Sequence, residues 1–460
     1  MSDSKVVTWG TVLVTVGIVL AIMFAPTQFG AVMDWSKSVF ISQYGFIFTW
    51  SSLIFLAFLA FFVFSKHGNI KLGKGTPKYN RFTYYSMMFS TGMGVSMIYY
   101  GVLEPMYHHQ EGMSERQNMV TTFFDWGLNA WAVYAVVGVA FGYLLHVRGE
   151  DRPLNQLFKS RTLNNLNTIS LLFSTIIGLT LSFVYAVGPI SSGFKEFLGV
   201  DVGPYTIIAL LTLGTVLSAV TGVDRGVKWL SRYNVIVALS IMAFVAVSGT
   251  FFEYLWKTIT YSGSYLLQII PMSVNIGSTA EEKQWLASWP YAYYAAWVGW
   301  ALFVGAFVAR ISYGRTIREL ILGCVLFPTI ISNVWFTVFG VAGLQHGAQD
   351  IFQLLANFPG GWIFSVITLV SVILFFITGH DSAGITVESM TAPRTRVFWI
   401  VSMGVVAAAL NWAGGDVVTV TKTLVAVSAV PVLIGVLCIL FGFLKIFVPK
   451  VFLAKETPPV

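Results

Sequence analysis

Charge is what this chain has least of: only 10% of its 460 residues are Asp, Glu, Lys or Arg, where a soluble domain has about 25%. That shortage excludes a surface built to face water. Cysteine is nearly absent too. Cys324 and Cys438 both sit inside apolar runs, which leaves no disulfide framework and no thiolate metal cluster. No Ser/Pro/Gly-rich linker and no run of like charge divides the sequence, so it reads as one membrane domain. What is there instead is hydrophobic: 56% apolar residues, with aromatics at 16%.

Runs of about twenty apolar residues recur, each long enough to cross roughly 30 Å of hydrocarbon. They predict an all-α integral membrane protein of twelve helices, near 7–26, 45–65, 84–103, 121–146, 168–190, 204–221, 229–251, 289–309, 316–343, 362–380, 397–413 and 420–447. The first run follows a short head bearing Lys5 and reads as an uncleaved helix, because so many spans follow it.

The net charge of +7 invites a nucleic-acid partner, but its distribution refuses one. With the N-terminus inside, the inner loops hold Lys5; Lys66, Lys71, Lys74, Lys78, Arg81; Arg148, Arg152, Lys159, Arg161; Arg225, Lys228, Arg232; Arg310, Arg315, Arg318; Arg394, Arg396; and Lys445, Lys450, Lys455. That is 21 of the 27 basic residues, leaving Lys37, Arg116, Lys195, Lys257, Lys283 and Lys422 outside. The alternation predicts both termini in the cytoplasm of a multi-pass inner (plasma) membrane protein. The partner is the lipid bilayer, not a nucleic acid.

The predicted organisation follows. Residues 1–83 are two peripheral N-terminal helices, 84–251 and 289–447 two inverted five-helix repeats, and 448–460 a short tail. Between the repeats, 252–288 is aromatic and weakly charged (Glu253, Tyr254, Trp256, Lys257, Tyr261, Tyr265) and suits a helix on the outer surface.

Chemistry concentrates in two aromatic clusters, Trp126, Trp131 and Tyr134 in one span and Trp297 and Trp300 in another. The first three fall on one broad helical face. Ring faces without a fixed anion hold a quaternary ammonium or sulfonium, at about 0.5–2 kcal/mol per desolvated ring. An interfacial aromatic belt is the plainer alternative. Two spans also carry glycines at membrane depth: Ser90-Thr91-Gly92-Met93-Gly94-Val95-Ser96, and Gly299 with Gly305. Opened backbone is tolerated there where it lines a cavity or is buried, so both spans are expected to be interrupted. Ordinary close helix packing is the alternative.

Gly92-Met93-Gly94-Val95-Ser96-Met97 with Tyr100-Gly101-Val102-Leu103-Glu104-Pro105 resembles the third-helix signature of the betaine/choline/carnitine transporter (BCCT) family. Trp126-Gly127-Leu128-Asn129-Ala130-Trp131-Ala132-Val133-Tyr134 resembles its fourth. The stretch from Trp300 through Arg310-Ile311-Ser312-Tyr313-Gly314-Arg315-Thr316-Ile317-Arg318-Glu319 looks like its longest motif. Pro328-Thr329, Trp335 to Gly340 and Asp381-Ser382-Ala383 match further. The resemblance implies twelve helices with a LeuT-like, ten-helix inverted-repeat core, commonly a homotrimer. It implies an onium box of Trp126, Trp131, Tyr134 and Trp297, with Trp300 on the exit path. Backbone N–H groups of an opened Gly92–Ser96 turn, including Gly92, Met93, Gly94 and Ser96, would take a substrate carboxylate. The function so implied is secondary uptake of a betaine-like onium zwitterion by alternating access, with no enzymatic activity and no organic cofactor.

The departures bear on coupling. Ser96 replaces a family glycine, Asp125 stands where histidine is common, and Ala296 where many relatives add a tryptophan. A carboxylate at Asp125 is a candidate proton carrier or partner of a cationic substrate. The family's sodium site maps onto the carbonyls around Ser90 and Met93 with Thr378, and Gly379 replaces a serine hydroxyl. His380 follows and can titrate near neutral pH. Sodium is the expected coupling ion, and protons or substrate exchange are the alternatives. A related transporter of another amine or amino acid is the competing function.

Other classes fare worse. His380-Asp381-Ser382 are three consecutive residues, poorly placed to act as a hydrolase triad. His108-His109 with Glu111 sit in an expected outer loop without a spaced third metal ligand, and no carbonyl or charge ring suggests a channel. The short termini carry an expectation of uptake that osmolality does not switch on.

Overall fold

The computed structural model describes residues 3–150, 160–221 and 226–447, apart from the side chains of 3, 91–94 and 226–232. Arg152, Lys159, Arg225, Lys450 and Lys455 of the charge pattern, and the expected tail, lie outside these residues. Among the described residues there is no strand, only an isolated bridge between Lys71 and Thr316. Helix is what these runs dictate, since a hydrocarbon environment offers the backbone no partner but itself.

In chain order the helices are α1 (Asp3–Phe24), α2 (Pro26–Trp35), α3 (Phe46–Phe64), α4 (Arg81–Gln110), α5 (Glu115–Trp126), α6 (Leu128–Tyr143), α7 (Arg161–Leu198), α8 (Pro204–Thr221) and α9 (Gly226–Ser248). Then follow α10 (Phe251–Val274), α11 (Ala280–Ser288), α12 (Pro290–Ile311), α13 (Ile317–Ile321), α14 (Phe327–His346), α15 (Ile351–Ala356), α16 (Gly361–Met390), α17 (Arg396–Ala413) and α18 (Val417–Phe447). Ten stretches among the described residues are long and apolar enough to cross a membrane, eleven if Tyr233–Ser248 and Phe251–Val274, bent by 113°, form one broken span. The protein is therefore a multi-pass, all-helical membrane protein. The 30-residue α4 adds a further rod of about 45 Å at 1.5 Å per residue.

Beyond that sharp bend, α10 buries Tyr254, Tyr261, Tyr265 and Ile269 on one face and exposes Phe252, Trp256, Leu267 and Ile270 on the other. Its buried tyrosines fix the helices beneath it. The Tyr265 hydroxyl accepts from the Leu128 N–H at 2.8 Å, and Tyr261 donates to Glu115 at 2.5 Å.

The breaks in the spans are not where the glycine pattern placed them. α4 runs as one helix through residues 91–94, and α12 runs unbroken past Gly299 and Gly305. A continuous helix leaves no opened turn at either place. Gly305 serves packing: a Cβ on it would run into the Val137 side chain, and one on Gly138 would meet Val308 Cγ1 at 2.8 Å. α6 and α12 thus cross backbone to backbone. The actual breaks fall at Gly127, between α5 and α6, and at Trp289, where Pro290 starts α12. A Cβ at Gly127 would meet the Tyr265 hydroxyl at 2.6 Å, so the break and the tyrosine that caps it require glycine.

The long motif after α12 is a clamp. Arg318 donates to Val63 O (2.8 Å), Ser65 O (3.0 Å) and Asn69 Oδ1 (2.6 Å). Arg315 donates to Tyr79 O at 2.6 Å, and Leu72 N–H reaches Arg315 O at 2.8 Å. These bonds tie the 65–80 connection to the start of α13.

Candidate substrate-binding site

Three of the helices carrying the two breaks bring four rings together. Trp126 ends α5, Trp131 and Tyr134 lie on α6 beyond Gly127, and Trp297 lies on α12. Trp297 is the hub: its ring centroid is 5.8 Å from Trp126, 5.4 Å from Trp131 and 5.1 Å from Tyr134. Trp131 meets Tyr134 edge to face at 5.8 Å. All four are at most 3% exposed, which no aromatic belt at a membrane interface would be. Phe336, Tyr293 and Tyr100 back Trp126 at 5.2, 5.5 and 6.0 Å. Trp300 lies one turn along α12, packed against Gly178 of α7.

The polar tips of these rings divide into two kinds. Trp126 Nε1 donates to Glu104 Oε2 at 2.9 Å, and Trp297 Nε1 to the Asp125 main-chain oxygen at 3.0 Å. Trp131 Nε1, Tyr134 Oη and Trp300 Nε1 are buried with no hydrogen-bond partner. A buried donor left unsatisfied costs about 1–3 kcal/mol, so each is prepared for an acceptor.

Behind the box lies a cluster that the sequence reading did not assemble. Glu104 Oε2 also accepts from the Tyr293 hydroxyl, while Oε1 faces His108 Nε2 at 3.8 Å. His108 is no loop residue: it lies in the last turn of α4 and is fully buried, whereas His109 is exposed. Asp125, also fully buried, brings its carboxylate within 4.8 Å of Glu104 and His108. Both Asp125 oxygens, Glu104 Oε1 and both His108 nitrogens have no hydrogen-bond partner. The signal in the sequence was Glu104 and His108 four residues apart, one face of a helix.

Next to the cluster opens a cavity of about 330 Å³, lined among others by Lys37, Tyr107, Glu111, Trp289, Asp416 and Lys422. Lys422 of α18 is half-buried, and its Nζ stands 5.3, 5.1 and 5.0 Å from the Tyr100, Trp289 and Tyr293 rings. Glu111, just past α4, is held below the usual carboxylate range by His108 and by the indole N–H groups of Trp285 and Trp289.

The expected ion ligands sit on α4 and α16, which pack together. Ser90 is buried on α4, and Thr378 on α16 donates to Leu374 O (2.8 Å) and Phe375 O (3.1 Å). Those donations leave the Thr378 oxygen lone pairs for a cation. Gly379 adds none, and a Cβ there would meet nothing within 4 Å. The side chains of Gly92, Met93 and Gly94 lie outside the described residues. Their N–H groups belong to a continuous helix, which removes the opened turn expected to take a carboxylate; Ser96 is buried beyond it. His380 places Nδ1 3.1 Å from Phe376 O and Nε2 3.0 Å from Leu179 O. Asp381 turns elsewhere, to Arg396 and to the Ser218 hydroxyl, so His380, Asp381 and Ser382 converge on nothing.

The family model described as betaine/carnitine/choline family transporter matches residues 6–450. The chain belongs to that family. Among its relatives is a glycine betaine transporter of Acinetobacter baylyi, 29% identical over 95% of this chain and 72% of that protein. Another is the glycine betaine transporter OpuD of Bacillus subtilis, 28% identical over 88% of each. A glycine betaine/proline/choline/ectoine transporter of Vibrio parahaemolyticus is 29% identical over 88% of this chain and 79% of that protein. The BCCT relatives are transporters, and this BCCT protein is a transporter too, not an enzyme.

Proposed function

We propose that the protein takes up a methylated onium zwitterion of the betaine class by alternating access. One observation carries the reading: four buried rings meet around Trp297, with the Trp131 N–H and Tyr134 O–H unpartnered among them. The ring faces suit the onium, and the two donors suit the carboxylate that a zwitterion brings with it. Trp300 lies on the path out of the box. An ordinary amine or amino acid would not need so many ring faces. Its architecture in this reading is twelve spans with a LeuT-like five-plus-five core, assembled as a homotrimer in the inner membrane, both termini cytoplasmic. The basic residues of the loops support that orientation.

Sodium is the proposed coupling ion, held by carbonyls near Ser90 and Met93 and by Thr378. A second reading, proton coupling, draws on His380: two carbonyl acceptors flank one imidazole, and only the doubly protonated ring satisfies both. The test is uptake of labelled glycine betaine, choline, carnitine and dimethylsulfoniopropionate, with glycine and alanine as ordinary amino acids, into vesicles holding the purified protein, under imposed sodium or pH gradients. Sodium-driven accumulation of a zwitterionic onium is the expected result. Transport of amino acids with no onium in the panel accumulated would overturn the proposal.

A further inference from the structure

The box and the cluster behind it share atoms. Glu104 holds the Trp126 indole N–H at 2.9 Å through its carboxylate, and Asp125 holds that of Trp297 at 3.0 Å through its carbonyl. Two fully buried carboxylates within 4.8 Å of one another cannot both stay ionised without compensating positive charge. The charged and titratable groups facing them are few. They are His108 and Tyr100 from α4, Tyr185 from α7, Tyr293 and Tyr294 from α12, Tyr265 from α10 and Lys422 from α18. Lys422 supplies one positive charge against two negative ones, and one proton completes the balance.

We infer that Glu104, His108 and Asp125 form a proton-binding site whose proton and the onium charge in the adjacent box exclude each other. This rests on the onium reading of the box. The unpartnered oxygens of Asp125, the unpartnered Oε1 of Glu104 and the His108 ring, neither of whose nitrogens has a hydrogen-bond partner, are the groups that hold and pass the proton. The sign follows from electrostatics. A deprotonated Glu104 accepting from Trp126 keeps that indole electron-rich and puts negative charge behind it, which favours a cation on the ring face. Protonation removes both effects. Onium binding therefore expels a proton.

The route out is laid by distance. His108 Nε2 lies 3.8 Å from Glu104 Oε1, and His108 Nδ1 lies 3.7 Å from Glu111 Oε2, whose side chain is 41% exposed in the cavity wall. The proton leaving Glu104 is taken up at Nε2 as the one on Nδ1 passes to Glu111 and then to water. Each gap exceeds hydrogen-bond length, so each transfer takes a small ring rotation or one bridging water.

The experiment is calorimetric titration of the purified full-length protein with glycine betaine, between about pH 5 and pH 8, in two buffers of different ionisation enthalpy. Near the acidic end, about one proton is released per betaine bound, and Kd tightens as pH rises, by up to tenfold per unit. Asp125→Asn and Glu104→Gln abolish the release and flatten the pH dependence. Glu111→Gln keeps the equilibrium release but slows it in a stopped-flow measurement with a pH dye. The wild-type proton count stands even where a variant fails to fold. Betaine binding with no proton released and a pH-independent Kd overturns the inference and leaves the onium reading intact. Proton uptake in place of release overturns it as well, as does a pH dependence that a chelator removes, which would make the cluster a metal site. No betaine binding at any pH overturns both readings.

Discussion

Replacing Trp297 by alanine tests the box at its hub. The indole touches three other rings at 5.1–5.8 Å and donates one hydrogen bond, at 3.0 Å, to Asp125 O. Truncating a buried tryptophan costs about 3–5 kcal/mol of stability, so folding must be measured beside binding. The onium itself loses one desolvated ring face, about 0.5–2 kcal/mol, or roughly two- to thirtyfold in Kd. Two comparisons separate those effects. Trp297→Phe keeps a ring face and loses only the N–H bond, a net contribution of about 0.5–1.5 kcal/mol, so it retains much of the affinity. The ligand 3,3-dimethylbutanoate has the shape and carboxylate of glycine betaine with carbon in place of the charged nitrogen. Wild-type protein is expected to prefer glycine betaine to this isostere, and Trp297→Ala to shrink that preference. The assay is calorimetric or fluorescence binding in detergent, with a melting curve for each variant. An alanine variant that stays folded and keeps the full preference for the charged ligand would refute the aromatic-box reasoning.

Three further expectations concern the ion site, the α6–α12 crossing and the Arg396–Asp381 pair. Thr378→Val removes the hydroxyl proposed for sodium and should raise the sodium concentration needed for half-maximal uptake. Gly379→Ser, whose Cβ has no atom within 4 Å, should lower it; uptake indifferent to sodium in both variants would count against a sodium site there. Gly305→Val drives a side chain into Val137 and the Gly138 N at 3.2 Å. Overpacking of this kind costs about 1–3 kcal/mol, read as a lower melting temperature and loss of monodisperse protein. Arg396→Met strands the carboxylate of Asp381, which is 2% exposed and otherwise bound to Ser218. It should destabilise by about 3–5 kcal/mol, while the double variant Arg396→Met/Asp381→Asn should melt higher than the single one.

The helices were legible because a run of twenty apolar residues has few other fates. Their breaks were not. Gly127 looked like any membrane glycine, and what makes it a break is Tyr265, well over a hundred residues away on α10. Gly92 and Gly94 drew the eye by composition, yet backbone hydrogen bonding carries the helix straight through them. Trp126, Trp131, Tyr134 and Trp297 were named through the family resemblance, since their spacing alone suited an interfacial belt as well. That spacing also put Trp126 on one helix face with Trp131 and Tyr134, from which the Gly127 break separates it. The acidic cluster was half visible: Glu104 and His108 share a helix face, but only the packing of α4 against α5 adds Asp125. Lys422 counted only as an outer-side charge at the start of the last span, and its seat over three rings emerges only from the packing of α18 against α12. The long motif matched a family pattern whose physical role, the Arg315 and Arg318 clamp, spacing could not disclose.

The hydrogen bond from Trp297 to the carbonyl of Asp125 has a mechanical meaning. Asp125 lies two residues before the Gly127 hinge, and Trp297 stands two turns into a helix that starts at the other break. The wall of the box is thus also a joint pin between two segmented rods. Any tilt of one rod against the other must carry this bond along or snap it. In the proposed onium reading, the grip on cargo and the stiffness of the joint therefore share one side chain, and a change at Trp297 that retunes ligand preference also retunes how freely the two segments swing.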